Sequence, residues 1–242
     1  MSNLAHKRAS DPNNALLSGG ILAHLGPHAR QALLNVGRER VYEKSEPLLR
    51  EGDRSRHVIL LLSGRVKVFT TALNGYDAVL AIRGPGDVVG ELACVDAKPR
   101  SATVVALEPV NARVVQTQTF EDFLTDHPSA GKVLVQMVAG RLRTANRRRL
   151  EFGAYPVQQR LAMVLLELEE WYGRKCATGR DIDLALSQLD LAGLVGASLE
   201  AVSKAVRSLS KAGIIATRRR HVTVLRLDAL RDAAASASAN GH

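Results

Sequence analysis

The sequence predicts an α+β protein built in three parts: a closed or rolled antiparallel β domain, a long helix, and a C-terminal winged helix-turn-helix. Short β-branched runs separated by glycine-rich turns fill residues 40–117, which is typical of a rolled β domain. Apolar residues then recur at helical spacing over residues 130–152, and a helix-turn-helix pattern occupies residues 188–211. The 242 residues are enough for one large domain or two modest ones.

The β domain is predicted from strand-like runs bounded by turn residues. Asn74-Gly75 separates two of these runs and is a strong hairpin signal. We expect residues 16–36 to be helical with a break near Gly26 and Pro27, and residues 120–126 to form a short helix. The strand-like runs are residues 58–62, 65–71, 78–82, 102–107 and 112–117.

The long helix carries a narrow apolar stripe with arginine-rich flanks. Such a seam usually pairs with another helix, so we expect it to form a homodimer interface. The alternative is that the stripe packs on its own β domain. Pro156 suits the first turn of a new helix over residues 157–172, and this places a hinge at residues 153–156. The stripe consists of Leu134, Val138, Leu142 and Ala145.

The helix-turn-helix is the most specific pattern in the chain. Ala192 is small where the second helix would cross, Gly196 suits a turn that needs a positive φ, and Ser198 is a good N-cap. One face of the second helix could therefore enter a major groove. The alternative is an ordinary helical hairpin with a solvated charged face. The candidate DNA-contacting residues of this helix are Ser198, Leu199, Glu200, Ser203, Lys204 and Arg207.

A β-wing is predicted directly after the second helix. Residues 214–217 and 222–225 resemble strands, and a basic turn containing Arg218, Arg219 and Arg220 lies between them. Cations at the tip of such a wing are placed to meet the DNA backbone.

The charge of the chain agrees with an anionic partner. The formal net charge is +9, and the cations are clustered, which is the footprint of phosphate contacts. Aromatic residues make up 4% of the chain, too few for a surface that stacks single-stranded bases. The clusters are Arg141, Arg143, Arg147, Arg148 and Arg149, then Lys204, Arg207 and Lys211, and then Arg218, Arg219, Arg220 and His221.

The sequence contains no motif typical of an enzyme, a metalloprotein or a membrane protein. A Walker loop, a nucleophile elbow and a His-Glu zinc motif are all missing, so we do not expect an enzyme. Cys94 and Cys176 match no metal motif and are expected to be reduced thiols, with no metal site. No signal peptide and no membrane-spanning run are found, and we expect a cytoplasmic protein with no membrane partner.

Residues 86–92 and 99–103, with the sequences GDVVGEL and PRSAT, resemble the cyclic-nucleotide-binding cassette. With the helix-turn-helix, the chain is similar to the cAMP receptor protein (Crp–Fnr) family of bacterial regulators from about residue 16 to residue 230. The resemblance implies an N-terminal cyclic-nucleotide-binding β-roll (a double-stranded β-helix), a long dimerisation helix and a C-terminal winged helix-turn-helix.

The resemblance also implies a role for each cassette residue. Arg100 and Ser101 would hold the cyclic phosphate, Glu91 the ribose, and Leu80 would pack on the base. The chemistry agrees, because a phosphate needs a cation and hydroxyl donors and a ribose hydroxyl needs an acceptor. Gly90 would let the backbone come close to the ligand. The alternative is that Glu91 and Arg100 form a structural ion pair in a roll without a ligand.

Two departures from the family pattern affect specificity. Where cAMP-responsive members carry Thr-Ser or Thr-Asn on the long helix, this chain has Ala145 and Asn146, so Asn146 alone has hydrogen-bonding groups for the base. The expected ligand is cAMP, with cGMP or no ligand as alternatives. The reading helix has Leu199 where the cAMP receptor protein has an arginine, which leaves the operator sequence open.

The sequence therefore predicts a homodimeric, sequence-specific DNA-binding transcription regulator gated by a cyclic nucleotide. Its expected partners are double-stranded DNA with an inverted-repeat operator, a second copy of the chain, and RNA polymerase. The alternative is a constitutive regulator with a vestigial pocket or a pocket for a different ligand. The predicted segments are tails at residues 1–15 and 233–242, a sensor domain at 16–129, a dimerisation helix with hinge at 130–155, and a DNA-binding domain at 156–232.

Overall fold

The computed structural model describes residues 20–235, and the chain divides into two compact units within this range. One unit contains residues 20–144 and the other contains residues 145–235. The predicted tail at residues 1–15 and most of the predicted C-terminal tail, residues 236–242, lie outside the described residues.

The N-terminal unit is a β-roll flanked by helices, as the sequence predicts. Its strands are β1 Arg38–Tyr42, β2 Pro47–Leu49, β3 Val58–Ser63, β4 Val66–Thr71, β5 Asp77–Arg83, β6 Val88–Val89, β7 Thr103–Ala106 and β8 Val110–Val115. Its helices are α1 Gly20–His24, α2 Pro27–Asn35, α3 Glu91–Val95 and α4 Thr117–Asp126, followed by α5 Pro128–Ala154, which continues into the second unit.

Two antiparallel sheets, ordered β1-β8-β3-β6 and β2-β7-β4-β5, form the roll. Strand β3 shows how the sequence builds it, because its apolar run is buried on both faces. Side chains alternate along a strand, so Val58 and Leu60 enter the core that lies under the helices. Ile59 and Leu61 enter the core of the roll itself, together with residues of both sheets.

The apolar stripe on α5 is divided differently from the prediction. Leu134 is 5% exposed and packs in the core of its own unit, so its assignment to a dimer interface is wrong. The neighbouring residue Val135 is 68% exposed, and Leu142 is 61% exposed. Val138 is partly buried and Ala145 is exposed. The exposed apolar face is therefore offset by one residue at its N-terminal end.

The C-terminal unit contains the predicted winged helix-turn-helix. Its helices are α6 Val157–Tyr172, α7 Gln188–Val195, α8 Leu199–Lys211 and α9 Leu227–Ala235, and its strands are β9 Gly173–Cys176, β10 Gly179–Ile182, β11 Ile215–Arg218 and β12 His221–Val224. The strands form one sheet with the order β11-β12-β10-β9.

Two predicted segments of this unit differ from the structure. Residues 173–179, expected to be a loop, contribute to the hairpin β9–β10, in which Arg180 pairs with Lys175 and bonds the Glu169 side chain. Residues 233–235, expected to belong to a tail, are helical, because α9 continues to Ala235. Ala234 is 6% exposed, and its carbonyl accepts a hydrogen bond from the Gln159 amide at 3.0 Å.

The division between the two compact units lies at Thr144 and Ala145, within α5, and the predicted hinge at residues 153–156 lies inside the second unit. The reason is that the end of α5 makes its contacts inside the C-terminal unit. Arg148 pairs with Glu167 at 3.1 Å. The Phe152 ring lies 5.5 Å beneath the guanidinium carbon of Arg160.

Over residues 20–235, no helix combines the length and the apolar character that crossing a bilayer requires.

The first prediction is that a side chain at Gly196 destabilises the C-terminal unit. Gly196 caps α7 in the left-handed region with φ 65°, and a Cβ placed there would lie 2.8 Å from the Phe152 ring. We expect Gly196→Ala to lower the free energy of unfolding by about 1–3 kcal/mol, through backbone strain and steric overlap. Gly153→Ala is the control, because it lies in α5 with open space around it and gains helix propensity. Equal urea midpoints for Gly196→Ala and wild type would contradict the prediction.

Candidate ligand pocket and nucleic-acid interface

Gly90 brings the candidate pocket residues together. It has φ 83° and ψ 6°, a left-handed conformation that disfavours any side chain. A Cβ at this position would lie 2.6 Å from Nη1 of Arg100. The close approach that the sequence predicts toward a ligand is thus made toward the Arg100 side chain, which donates to the Gly90 carbonyl at 2.7 Å.

Arg100 is buried and held by neutral oxygens. It is 3% exposed, and besides the Gly90 carbonyl it donates to the Ser55 hydroxyl at 3.2 Å and the His57 carbonyl at 2.6 Å. Burial lowers the pKa of the Arg100 guanidinium, and the Glu91 carboxylate acts in the opposite direction. The cation is therefore fixed in place before any anion arrives.

Glu91 does not pair with Arg100 but with Arg141 of α5, so the alternative of a direct Glu91–Arg100 ion pair is wrong. Nη1 of Arg141 lies 2.5 Å from Oε1 of Glu91, whose side chain is 5% exposed. The other terminal nitrogen donates to the Val88 carbonyl at 2.9 Å and lies 3.6 Å from the Asp87 carboxylate. Burial raises the pKa of Asp87, which Arg83 and Arg141 partly offset.

Arg141 contacts the candidate pocket, although the sequence analysis did not assign it there. It was grouped with the cations expected at phosphates, and that grouping is wrong for Arg141 because it lies in the N-terminal unit against two carboxylates. A usable signal existed: Arg141 follows the buried Met137 by one helical turn and so lies on the inward side of α5.

The remaining predicted pocket residues lie at the surface. Ser101 follows Arg100 directly and is exposed, and Leu80 is 46% exposed on β5. Asn146 is exposed on the part of α5 that belongs to the C-terminal unit, so its contact with a ligand base stays a prediction. The structure thus brings Gly90, Glu91 and Arg100 together.

The helix-turn-helix has the predicted glycine turn, the predicted N-cap of its second helix, and one further cap that was not predicted. Ser198 caps α8 by accepting from the Ala201 amide at 3.2 Å, and Gly196 makes the left-handed turn. Ser187 and Asp190 form a capping box at the start of α7, which the sequence analysis did not identify. Leu191, Val195 and Val202, all buried, fill the space between the two helices.

The outer face of α8 is open, as predicted. Leu199 is 46% exposed, and Glu200, Lys204 and Arg207 are exposed. Ser203 is partly buried, and its hydroxyl donates to Oε1 of Gln188 at 2.6 Å. This bond places Gln188, at the start of α7, beside the exposed face of α8, where it was not expected.

The wing has the predicted basic tip. Strands β11 and β12 pair in antiparallel register from Ile215 opposite Val224 to Arg218 opposite His221. Arg218, Arg219 and Arg220 are all exposed, and Arg220 adopts a left-handed φ of 60°. By contrast, Arg147 and Arg148 of the first predicted cation cluster pair with Glu151 and Glu167. The predicted cations of α8 and the wing are therefore exposed, and Arg149 of α5 is exposed as well.

Residues 20–235 contain no group of three or more histidine, cysteine or acidic side chains that could hold a metal ion. Cys94 is buried, Cys176 is exposed, and both are free thiols.

Two family models match the chain. A cyclic nucleotide-binding domain matches residues 39–127, and a Crp-like helix-turn-helix domain matches residues 159–233. The CRP-like cAMP-activated global transcriptional regulator of Mycobacterium tuberculosis is 28% identical over 200 residues, covering 83% of this chain and 89% of that protein. The cyclic AMP receptor protein of Thermus thermophilus is 28% identical over 82% of this chain and 89% of its own length.

Solved structures have the same fold. FixK2 from Bradyrhizobium japonicum is 25% identical, with a TM-score of 0.71 that covers 84% of this chain and 100% of that chain. TTHB099, a CRP family transcriptional regulator from Thermus thermophilus, is 25% identical, with a TM-score of 0.70 over 82% of this chain and 97% of that chain.

The Glu91–Arg141 pair generates the second prediction. Glu91→Gln and Arg141→Gln should each lower the free energy of unfolding by about 3 kcal/mol, because each leaves a buried charge without its main partner. The double variant should lose less than the sum of the two, as a double-mutant cycle would measure. Asp228→Asn, which breaks the exposed pair with Arg231, is the control and should cost under about 1 kcal/mol. Additive losses would contradict a direct pair.

Proposed function

Because this chain belongs to the Crp–Fnr family of transcription regulators, we propose that it is a homodimeric regulator whose binding to specific DNA sites is gated by a cyclic nucleotide, cAMP, in the β-roll. The family consists of transcription regulators and not of enzymes, which confirms that part of the sequence prediction. The competing candidate is a constitutive regulator of the same fold, whose pocket is vestigial or takes a different ligand.

The observation that carries the gating proposal is the ion pair between Glu91 and Arg141. Glu91 lies beside the Gly90 turn of the pocket, whereas Arg141 lies on the long helix α5. A ribose hydroxyl that donates to Glu91 shares this carboxylate with Arg141. Binding of the ligand therefore changes the strength of the ion pair between Glu91 and α5. A ligand that acts differently on two states of that contact shifts their populations.

Arg100 supports a cyclic phosphate as the anionic part of the ligand. Its present acceptors are two carbonyls and one hydroxyl, all of them uncharged. A phosphate oxygen forms a stronger, charge-assisted bond with a guanidinium. The Ser101 hydroxyl, which is exposed at the next position, supplies an additional donor. The buried cation therefore favours an anion over water.

The choice of cAMP rests on the relatives, because a carboxamide such as that of Asn146 can bond either purine. The two relatives described above are named for cAMP or the cyclic AMP receptor. The side-chain amide of Asn146 has both donor and acceptor groups for the edge of a purine. Because guanine offers the reverse pattern at its edge, cGMP is the ligand to compare directly with cAMP.

The homodimer rests on the exposed apolar face of α5. Val135, Val138 and Leu142 follow the spacing of three and four residues that a paired helix requires. Val135 and Leu142 are mostly exposed, so the face is not used by the unit that carries it. A two-fold dimer of this kind binds an inverted repeat, with half-sites roughly 34–36 Å apart.

DNA reading is assigned to α8 and the wing. Glu200 can accept from a cytosine amine, Lys204 can donate to guanine, and Leu199 can lie against a thymine methyl group. The three wing arginines would meet phosphates, which position the protein without specifying sequence. RNA polymerase is the expected partner of a regulator bound at a promoter.

The third prediction tests gating. Adding cAMP at about 100 times its Kd should stabilise wild type by about 2.7 kcal/mol in thermal unfolding and tighten binding to its operator. Arg100→Leu should lose both responses, because the phosphate then has no buried cation. Arg174→Leu, which removes an arginine exposed on the β9–β10 hairpin, should keep both responses. If neither cAMP nor cGMP shifts the wild-type melting temperature, the constitutive candidate replaces the gated one.

The fourth prediction tests assembly. Leu142→Lys should convert a dimer into a monomer at micromolar concentration in sedimentation, because it places a charge in the apolar seam. Leu73→Lys is the matched control, since Leu73 is fully exposed on the β4–β5 turn. A wild type that sediments as a monomer would rule out the proposed interface.

A further inference from the structure

We propose that Gln188 is a positioning residue that makes Ser203 a pure hydrogen-bond acceptor toward DNA, and that α8 therefore selects an amino base, adenine or cytosine, at the position Ser203 meets. The inference rests on the proposed function, because it assumes that α8 reads a major groove. Its basis is the hydrogen bond of 2.6 Å from the Ser203 hydroxyl to Oε1 of Gln188.

The direction of this bond follows from the chemistry of the two groups. A carboxamide oxygen carries no hydrogen, so the proton between the two atoms belongs to the Ser203 hydroxyl. Once that single proton is directed at Gln188, the Ser203 oxygen has only lone pairs to offer to a further partner. A serine without such a neighbour can direct its proton to another acceptor, so it can donate to a base as well as accept from one.

The local fold keeps Gln188 in place for this contact. Gln188 is the first residue of α7 and lies between Ser187 and Asp190 of the capping box, in which the Ser187 amide donates to Asp190 at 2.9 Å. Ser203 lies one helical turn from both Leu199 and Arg207, within the open face of α8. The bond thus joins the starts of two packed helices whose backbones are both capped.

An acceptor oxygen in the major groove prefers some bases over others. Adenine N6 and cytosine N4 are donors in the major groove, whereas guanine O6 and thymine O4 are acceptors. An oxygen without an available proton is attracted to the amino bases and repelled by the keto bases. On the strand that Ser203 contacts, adenine and cytosine should therefore be preferred over guanine and thymine.

Selection of binding sites from a random DNA pool tests the inference with the full-length protein. Wild type should enrich adenine or cytosine at one position of each half-site by roughly fivefold over the keto bases, the size of one net hydrogen bond. Gln188→Ala frees the Ser203 hydroxyl and should reduce this preference to near equality. Ser203→Ala should also lose it.

Two variants separate positioning from a general loss of structure. Gln188→Glu keeps an acceptor oxygen, so it should restore the amino preference even though its charge weakens binding to all DNA. Gln158→Ala removes another exposed glutamine from the first turn of a helix in the same unit and should leave the selected motif unchanged. If Gln188→Ala retains the wild-type preference, or Gln188→Glu fails to restore it, the inference is overturned.

Glu200→Ala distinguishes failure of the inference about Gln188 from failure of the proposed function. If Glu200→Ala changes the selected motif while Gln188→Ala does not, α8 reads the groove and only the role of Gln188 is wrong. If neither variant, nor Ser203→Ala, changes the motif, α8 is not the reading helix and both proposals are wrong.

Discussion

The matching of buried charges around Gly90 constrains the N-terminal unit. Asp87, Glu91 and Arg100 are each less than a tenth exposed, and an unmatched charge in such a place costs several kcal/mol. The two carboxylates are matched by Arg141 of the long helix, and Arg100 is matched by neutral oxygens close to it. The helix therefore cannot leave the roll without exposing or stranding charge, and electrostatic pairing as well as apolar packing holds it there.

A second cluster ties the end of the same helix to the helix-turn-helix. Arg160 stacks on the Phe152 ring and donates to the carbonyls of Val195 and Gly196, which end α7. The aromatic ring covers the glycine turn, so the last two turns of α5 and the end of α7 share one packed support. These turns belong to the DNA-binding unit, although the sequence assigns them to the helix before the hinge.

Features that depend on local chemistry could be predicted from the sequence, and features that depend on distant partners could not. The helix over residues 157–172, the turn at Gly196 and the cap at Ser198 follow from periodicity and backbone preference. Strand β1 was not predicted because four of its five residues are exposed, and a short polar segment is typical of a loop. Pairing between Glu91 and Arg141 joins residues fifty positions apart, which no spacing rule identifies. Leu134 was misassigned for a similar reason. A narrow apolar stripe does not show which of its residues pack on the N-terminal unit and which face outward.

The wing tip illustrates why a DNA-binding surface resists stabilisation. Arg220 is held with a φ of 60°, a conformation that costs a residue with a side chain on the order of 1 kcal/mol relative to glycine. A glycine at this position would relieve the strain and strengthen the fold, yet it would remove a cation from the tip. Sequences optimised only for thermal tolerance would therefore lose the arginine here, whereas the DNA contact proposed for the wing would keep it.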